Sequence, residues 1–426
     1  MTTPPTGRRA AARLLRHAPT AAVLAAATLC ANVLAYTLYL VLNRALTPQD
    51  LGAVAALLNL TVISAVLALA LQLVAARHVA TDRAVAHSRD ATEAAAVATG
   101  TVLGLAVTGL MLLASPVIAV AFDLDGLLPA VLVAVGVLPT YLTFAAQGCL
   151  LGRERFGALG IVYVLVAGGR FLAGAGAAWA GLGVSGVIGA TVVAAWVTAA
   201  ISLAMVPAAV RGAGARLRST WVRTVLHSAT ATSALLVVTN MDIPLARTVL
   251  PPVESGEYAV VSLFAKAAYW GPAFLATLFY PRMARATTRR SALLAVGSTT
   301  VIALVGVGLS ALLAEPLIRI VGGPTYVGLA PLVPLLTASG AAWSVAQVLV
   351  YWRLSRGDHR LGYAVWAVAA LIAATVLLWR HDSIAEIAST VLAGGLAVAV
   401  YGLVLLLGTS PGRPAPAPAD PYVVDL

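Results

Sequence analysis

The sequence predicts an all-α integral membrane protein of about twelve transmembrane helices, arranged as two homologous six-helix lobes. Three observations lead there. Hydrophobic residues make up 61% of the chain and charged residues 10%, against roughly 25% charged in an ordinary soluble domain. Mean hydropathy is +0.94, so lipid is the medium the surface must face, and only helical bundles or closed barrels span lipid. The apolar runs reach about 20 residues or more without strict alternation, which suits helices and not barrel strands. The third observation is an internal echo. Arg44-Ala-Leu-Thr-Pro48-Gln-Asp50-Leu-Gly52 returns as Arg247-Thr-Val-Leu-Pro251-Pro-Val-Glu254-Ser-Gly256, with one extra residue, and each copy joins the first apolar run of a half to the second.

Taken in order, the chain opens on a basic segment, 1–18, with Arg8, Arg9, Arg13 and Arg16. The run that follows is too long for the apolar core of a signal peptide, so it reads as a retained first helix with a basic cytoplasmic flank. The first lobe, 19–210, holds spans at 19–43, 52–79, 93–121, 127–150, 158–180 and 184–209. A hydrophilic connection, 211–223, separates it from the second lobe, 224–408, with spans at 224–246, 257–281, 292–314, 328–352, 361–379 and 385–408. The tail, 409–426, is Pro/Ala-rich and reads as disordered. With both termini cytoplasmic, 21 of the 27 basic residues fall on the inner side. Four (Arg44, Arg247, Arg319 and Arg380) fall outside, and Arg170 and Lys266 lie within spans. Cytoplasmic loops collect Arg and Lys in this way, which accounts for the net charge of +11 without nucleic acid.

Polar residues recur on one face of equivalent helices. On the first span Thr28, Asn32, Tyr36, Tyr39 and Asn43 share a face at 100° per residue; on the seventh Ser228, Thr232, Thr239 and Asp242 do. Shifted by 203 residues, Tyr36 meets Thr239 and Tyr39 meets Asp242. Polar faces turn away from lipid toward the bundle interior or a wet cavity, so both faces are expected to line one central cleft, although Ser, Thr and Asn also bond helices together in any bundle. The eighth span adds Tyr258, Ser262, Lys266, Tyr269 and Tyr280. Lys266 lies about 14 Å below the outer end at 1.5 Å per residue, and Arg170 lies at similar depth on the fifth span. Each charge there costs roughly 2.5–3.5 kcal/mol on insertion scales. Two cations at mid-depth fit an anionic ligand such as a diphosphate, phosphate or acidic sugar; an internal ion pair with Asp242 or Glu257 is the competing reading. The expected substrate-contacting residues are thus Arg170, Lys266, Asp242, Tyr36, Tyr39, Asn32, Thr239 and Tyr269.

Other signals carry no chemistry. Gly181-Leu-Gly183-Val-Ser-Gly186 has dinucleotide-motif spacing but joins two membrane helices instead of a strand and a helix. There is no phosphate-loop motif. Cys30 and Cys149 sit inside apolar runs, and the six histidines are scattered without metal or triad spacing. Gly100-x-x-x-Gly104 is a spacing common by chance in an Ala/Gly-rich helix. No metal, cofactor or catalytic residue is expected.

The stretch Arg44, Leu46, Thr47, Pro48, Asp50, Gly52 resembles the end of helix one in the polysaccharide-transporter (oligosaccharide flippase) family. That family belongs to the multidrug, oligosaccharidyl-lipid and polysaccharide (MOP) exporter superfamily. Asp242, Gly256 and Tyr258 are similar to the corresponding pattern of the second half. Pro316-Leu-Ile-Arg-Ile-Val-Gly-Gly-Pro-Thr-Tyr326 and Arg356-Gly-Asp358 are similar to the flanks of the family's tenth helix. The resemblance implies a two-lobed MATE-like fold with alternating access. It also implies movement of a lipid-linked oligosaccharide from the inner to the outer leaflet of a bacterial cytoplasmic membrane, with lipid and glycan-assembly enzymes as partners and no enzymatic activity. Arg170 and Lys266 fall outside the shared motifs. A cation-coupled multidrug-type exporter of the same fold would favour an acidic cavity. A membrane glycan polymerase or ligase would need a large outer loop, and the outer loops here are short. A major-facilitator carrier would carry a Gly-x-x-x-Asp-Arg-x-Gly-Arg loop near 80–90, where the chain reads Ala-Thr-Asp82-Arg83-Ala-Val-Ala.

Overall fold

The computed structural model of the chain describes residues 6–81, 86–207, 219–228, 230–285, 289–354 and 356–408. The first five residues, most of the 211–223 connection, the 409–426 tail and the side chains of Thr232 and Tyr280 lie outside the described residues. Among the described residues the structure is helical throughout, sixteen α-helices and one 3-10 helix. Ten helices are long and apolar enough to cross a membrane. The pair Thr220–Ser228 and Ser233–Val249, bent by 58°, makes an eleventh span if taken as one. The remaining expected span, 257–281, lies on the 34-residue helix Pro252–Arg285.

Both copies of the internal echo work the same way: they stop one helix and start the next. In the first, Thr47 Oγ1 accepts from the Asp50 amide and donates to the Asp50 carboxylate, closing the first turn of Pro48–Ser64. In the second, Pro251 and Pro252 open Pro252–Arg285, where a missing N–H costs nothing. The span expected over 52–79 is one apolar stretch, Pro48–Thr81, with a single turn residue, Ala65, between Pro48–Ser64 and Val66–Thr81.

The chain folds into two compact units, and they do not simply divide it in half. The first comprises Met1–Ala45, Ser64–Ala119 and Asp125–Ser228; the second takes Leu46–Ile63, Val120–Leu124 and Ala229–Leu426. In the first unit Thr6–Ala45 runs along Phe156–Trp179, and Leu128–Gly152 packs on both Val66–Thr81 and Gly183–Ala204. In the second, Val333–Leu354 is the hub, packing on Pro252–Arg285, Arg289–Leu312 and Ile384–Leu407.

The internal echo extends to backbone hydrogen bonds. After Leu128–Gly152, Glu154 takes φ 57°; its amide donates to Leu151 O and that of Arg155 to Leu150 O. After Val333–Leu354, Gly357 takes φ 71°; its amide donates to Leu354 O and that of Asp358 to Arg353 O. The two turns, paired helix-terminating bonds around a left-handed residue, are again 203 residues apart.

Each turn is also braced by charge. Arg353 meets Asp358 at 3.1 Å. In the first unit Arg153 clasps the fully buried Glu93 through Nε and Nη2. Removing one partner of a buried pair strands the other charge, at roughly 3–5 kcal/mol. Arg153→Ala should therefore lower the thermal midpoint of the detergent-solubilised protein sharply, and Arg153→Met combined with Glu93→Leu should recover most of the loss. Equal midpoints for the single variant and the wild type would refute this.

Arg247 braces the second unit. Its side chain, 3% exposed, donates from Nε to Phe122 O at 2.6 Å and from Nη2 to Asp123 O at 3.0 Å. From Nη1 it reaches Ser255 Oγ at 2.9 Å, Pro252 O at 3.2 Å and Gln49 O at 3.4 Å. It therefore ties together three segments that the sequence delivers from far apart.

Candidate substrate pocket in the second unit

A broken helix builds this site. Thr230–Val238 ends, Thr239, Asn240 and Met241 leave the helical path, and Asp242–Val249 resumes. Pro244 gives a reason: it has no N–H to offer the Asn240 carbonyl, so a continuous helix would lose that bond. The Asn240 backbone amide turns to Val237 O, and the Leu236 carbonyl it leaves is recaptured by Asn240 Nδ2 at 2.8 Å. Thr239 Oγ1 adds a second bond, at 2.7 Å, to Leu235 O, which keeps its bond from the Thr239 amide. Irregular backbone within a membrane protein is tolerated where it is buried or lines a cavity, and this break does the latter.

Lys266, on Pro252–Arg285, reaches into the break. Its ammonium donates to Asn59 Oδ1 at 2.9 Å, and to Thr239 O and Asn240 Oδ1 at 3.3 Å each. Both amides are anchored through their NH2 groups, Asn59 to Ala55 O at 2.8 Å and Asn240 to Leu236 O, so their oxygens face the lysine. Three N–H donors meet three acceptors.

Asp242 lies beside this cluster and interacts with Lys266 electrostatically. It is 6% exposed. Its Oδ2 accepts from the Tyr258 hydroxyl at 3.3 Å, while its Oδ1 has no hydrogen-bond partner among the described residues. These groups border a small pocket whose walls include Thr239, Asp242, Lys266, Tyr269, Trp270 and Trp343. Tyr269 meets Trp270 edge-on at 5.0 Å. Trp343 is fixed by donating Nε1–H to Val391 O at 3.0 Å.

Four of the residues singled out in the sequence thus come together here: Lys266, Asp242, Thr239 and Tyr269. The other four belong to the first unit. Asn32, Tyr36 and Tyr39 lie on Thr6–Ala45, the first exposed and the tyrosines half-buried; Arg170, half-buried, lies on Phe156–Trp179, which packs along that helix. Glu257 is not part of the pocket lining. Sequence reasoning missed Asn59, Asn240, Trp270 and Trp343. A lone amide in the apolar run around Asn59 was the available signal.

Residues 41–251, just under half of the chain, match the family model described as polysaccharide biosynthesis protein. Through this stretch the chain is similar to that family. Known structures extend the likeness to the whole fold. A lipid II flippase, MurJ, in an inward closed conformation aligns with TM-score 0.74 at 9% identity, covering 90% of this chain and 87% of that one. An inward-facing multidrug resistance MATE family transporter of the MOP superfamily aligns at 0.64 and 15% identity, covering 88% and 93%. The eukaryotic MATE transporter AtDTX14 aligns at 0.64 and 14%, covering 93% and 97%. No curated protein matches the chain. The fold is like that of these transporter structures.

Proposed function

We propose that this protein is a flippase of the MOP superfamily. It moves lipid-linked oligosaccharide or polysaccharide precursors from the inner to the outer leaflet of the bacterial cytoplasmic membrane, by alternating access and without covalent chemistry. The observation that carries the reading is a coincidence: the family match over 41–251 falls on a chain whose fold aligns best, at TM-score 0.74, with a lipid II flippase among the structures compared above. Both termini are cytoplasmic in this reading, where glycan-assembly enzymes would meet the protein.

In the first unit, Arg170 with Asn32, Tyr36 and Tyr39 receives the diphosphate of the substrate. A guanidinium suits this task because its fork matches phosphate oxygens two at a time. In the second unit, Lys266, Asp242, Thr239 and Tyr269 contact the substrate. A multidrug-type exporter of the same fold has one observation in its favour, the buried Asp242 carboxylate, which would hold an organic cation. Lys266 opposes it by placing an ammonium in the same pocket.

The test is reconstitution into liposomes with a fluorescent lipid-diphosphate-linked oligosaccharide. Arrival of the label at the far leaflet well above the protein-free rate is expected. Arg170→Ala and Lys266→Ala should each abolish that movement while leaving membrane insertion intact. Near-normal movement in both variants would refute the site, and transport of lipophilic cations in place of the glycan would refute the function.

A further inference from the structure

We infer that the turn after Val333–Leu354 binds the phosphate headgroup of an anionic glycerophospholipid, held by Arg356 and Arg360 beside Trp352. This site does not depend on what the protein transports. The two turns that the internal echo relates differ in how they treat one arginine. A shift of 203 residues carries Arg153 to Arg356 and Glu93 to Val296. In the first unit the Arg153 guanidinium is clasped by the buried Glu93, and Asp90 lies 3.9 Å from it. In the second unit the place of Glu93 belongs to Val296, apolar and buried. The same shift carries the buried Cys149 to Trp352, which is half-buried. One turn answers its arginine with an internal carboxylate; the other sets an indole beside its arginine and has a valine where the carboxylate would be.

The second-unit turn carries an excess of positive charge. Arg353, Arg356 and Arg360 share it with Asp358, the only acidic residue between Glu315 and Asp382. Both oxygens of that carboxylate are in use: Oδ2 meets Arg353 Nη2 at 3.1 Å, and Oδ1 accepts from the Arg360 amide at 2.9 Å. The Arg356 guanidinium lies over the Trp352 ring, 4.8 Å from its centre. Stacking engages the flat face of a guanidinium, whereas phosphate oxygens are taken along its edge, two at a time. The first contact therefore orients Arg356 for the second. Both arginines can be reached, Arg356 being half-buried and Arg360 exposed. Two apolar stretches long enough to cross a membrane, Pro324–Leu354 and Arg360–Leu378, meet at this turn, which puts it at headgroup depth. Tyr363, 61% exposed, lies three positions on from Arg360 along one helix face, and amphipathic rings of this kind gather at that depth. In the orientation proposed above the turn faces the cytoplasmic leaflet, whose anionic lipids attract basic residues next to a span. A phospholipid phosphate supplies there the negative charge that Glu93 supplies inside the first unit.

The test uses the full chain in detergent micelles, with native mass spectrometry to count bound lipid and the thermal midpoint to report its effect. The probes are phosphatidylglycerol, phosphatidylcholine and sodium phosphate. Phosphatidylglycerol should bind saturably and raise the midpoint, and phosphatidylcholine should do so far less. Arg356→Gln combined with Arg360→Gln should weaken the first phosphatidylglycerol to bind by about tenfold or more, the loss of charge-assisted bonds to phosphate. Trp352→Leu, which changes no charge, should weaken it by about threefold through loss of the stacked ring. Arg360 is exposed, so Arg360→Gln alone leaves the fold intact and keeps the test decisive if Arg356→Gln folds poorly; it too should lose affinity. Arg77→Gln with Arg223→Gln removes the same charge from exposed positions of the first unit and should change the affinity by no more than about twofold. The site is refuted if phosphatidylcholine binds as tightly as phosphatidylglycerol, if the first-unit pair matters as much as Arg356 and Arg360, or if none of the second-unit variants weakens binding. Displacement of the lipid by sodium phosphate, with the same rise in midpoint, would make this a site for a soluble anion and overturn the lipid assignment.

Discussion

Arg247→Ala is expected to leave little folded protein. The guanidinium serves four main-chain carbonyls (Phe122, Asp123, Pro252 and Gln49) and Ser255 Oγ, in a site where it is 3% exposed. Each buried acceptor left without its donor costs about 1–3 kcal/mol. Ser255 Oγ and Pro252 O still bond each other at 2.7 Å, so the loss falls chiefly on Phe122 O and Asp123 O, and two such losses are already a large part of the stability of a typical domain, about 5–15 kcal/mol. Arg247→Lys should rescue little, because an ammonium has three donors and no planar fork. The informative comparison is Arg44→Ala. Arg44 holds the same place in the first copy of the echo, but its side chain is exposed and reaches Leu40 O in its own helix at 3.4 Å. That variant should stay within about 0.5 kcal/mol of wild type, as surface substitutions usually do. Fluorescence-detected size exclusion across a temperature ramp reads both. A monodisperse Arg247→Ala protein with an unshifted midpoint would show that the five bonds stabilise nothing.

The pair Arg44 and Arg247 also shows how far sequence reasoning reaches. Their equivalence by position is plain in the sequence, as is the membrane fold class, because composition and span length respond directly to lipid. Their different roles are not plain, because they depend on which unit each segment joins. Leu46–Ile63 and Val120–Leu124 are delivered by the first half of the chain and packed in the second unit, and no local propensity encodes that. The same holds for Asn59, which reaches Lys266 across 207 positions of sequence. Breaks in helices divide along similar lines. Pro244 announces the interruption at 239–241, whereas the turn at Ala65 falls in a run of Ala, Val, Ile and Ser with no proline or glycine to mark it. The polar stripe on Pro252–Arg285 pointed to Lys266 because a charge in an apolar helix must be accounted for. That its protons are already taken, and that the unsatisfied atom belongs to Asp242, could emerge only from three-dimensional contacts.

Gly340→Ala should remove transport as thoroughly as Arg247→Ala removes folding, through packing alone. Gly340 lies on Val333–Leu354, the hub of the second unit, and a methyl group there would fall well inside contact distance of the Ala265 carbonyl on Pro252–Arg285. That obstruction is backbone, which cannot rotate aside, so the two helices must separate by about 1 Å or more; overpacking of this kind costs about 1–3 kcal/mol. Ala265 directly precedes Lys266, whose bonds to Asn59, Thr239 and Asn240 span only 2.9–3.3 Å. A shift of that size carries the ammonium beyond hydrogen-bonding range of at least one acceptor and opens the wall between Trp343 and Tyr269. Gly256→Ala makes the parallel case at the echo itself. There the added methyl would strike the Pro48 carbonyl, just as one on Gly52 would lie 2.8 Å from the Gly256 amide nitrogen. The two copies of the motif meet glycine to glycine. Gly297→Ala is the control: nothing lies within 4 Å of its added carbon, and in a helix the exchange should be neutral or stabilising by up to about 1 kcal/mol. If Gly340→Ala moves glycan at the wild-type rate while Gly297→Ala does the same, the close seam beside Lys266 is not what holds the pocket in its working shape.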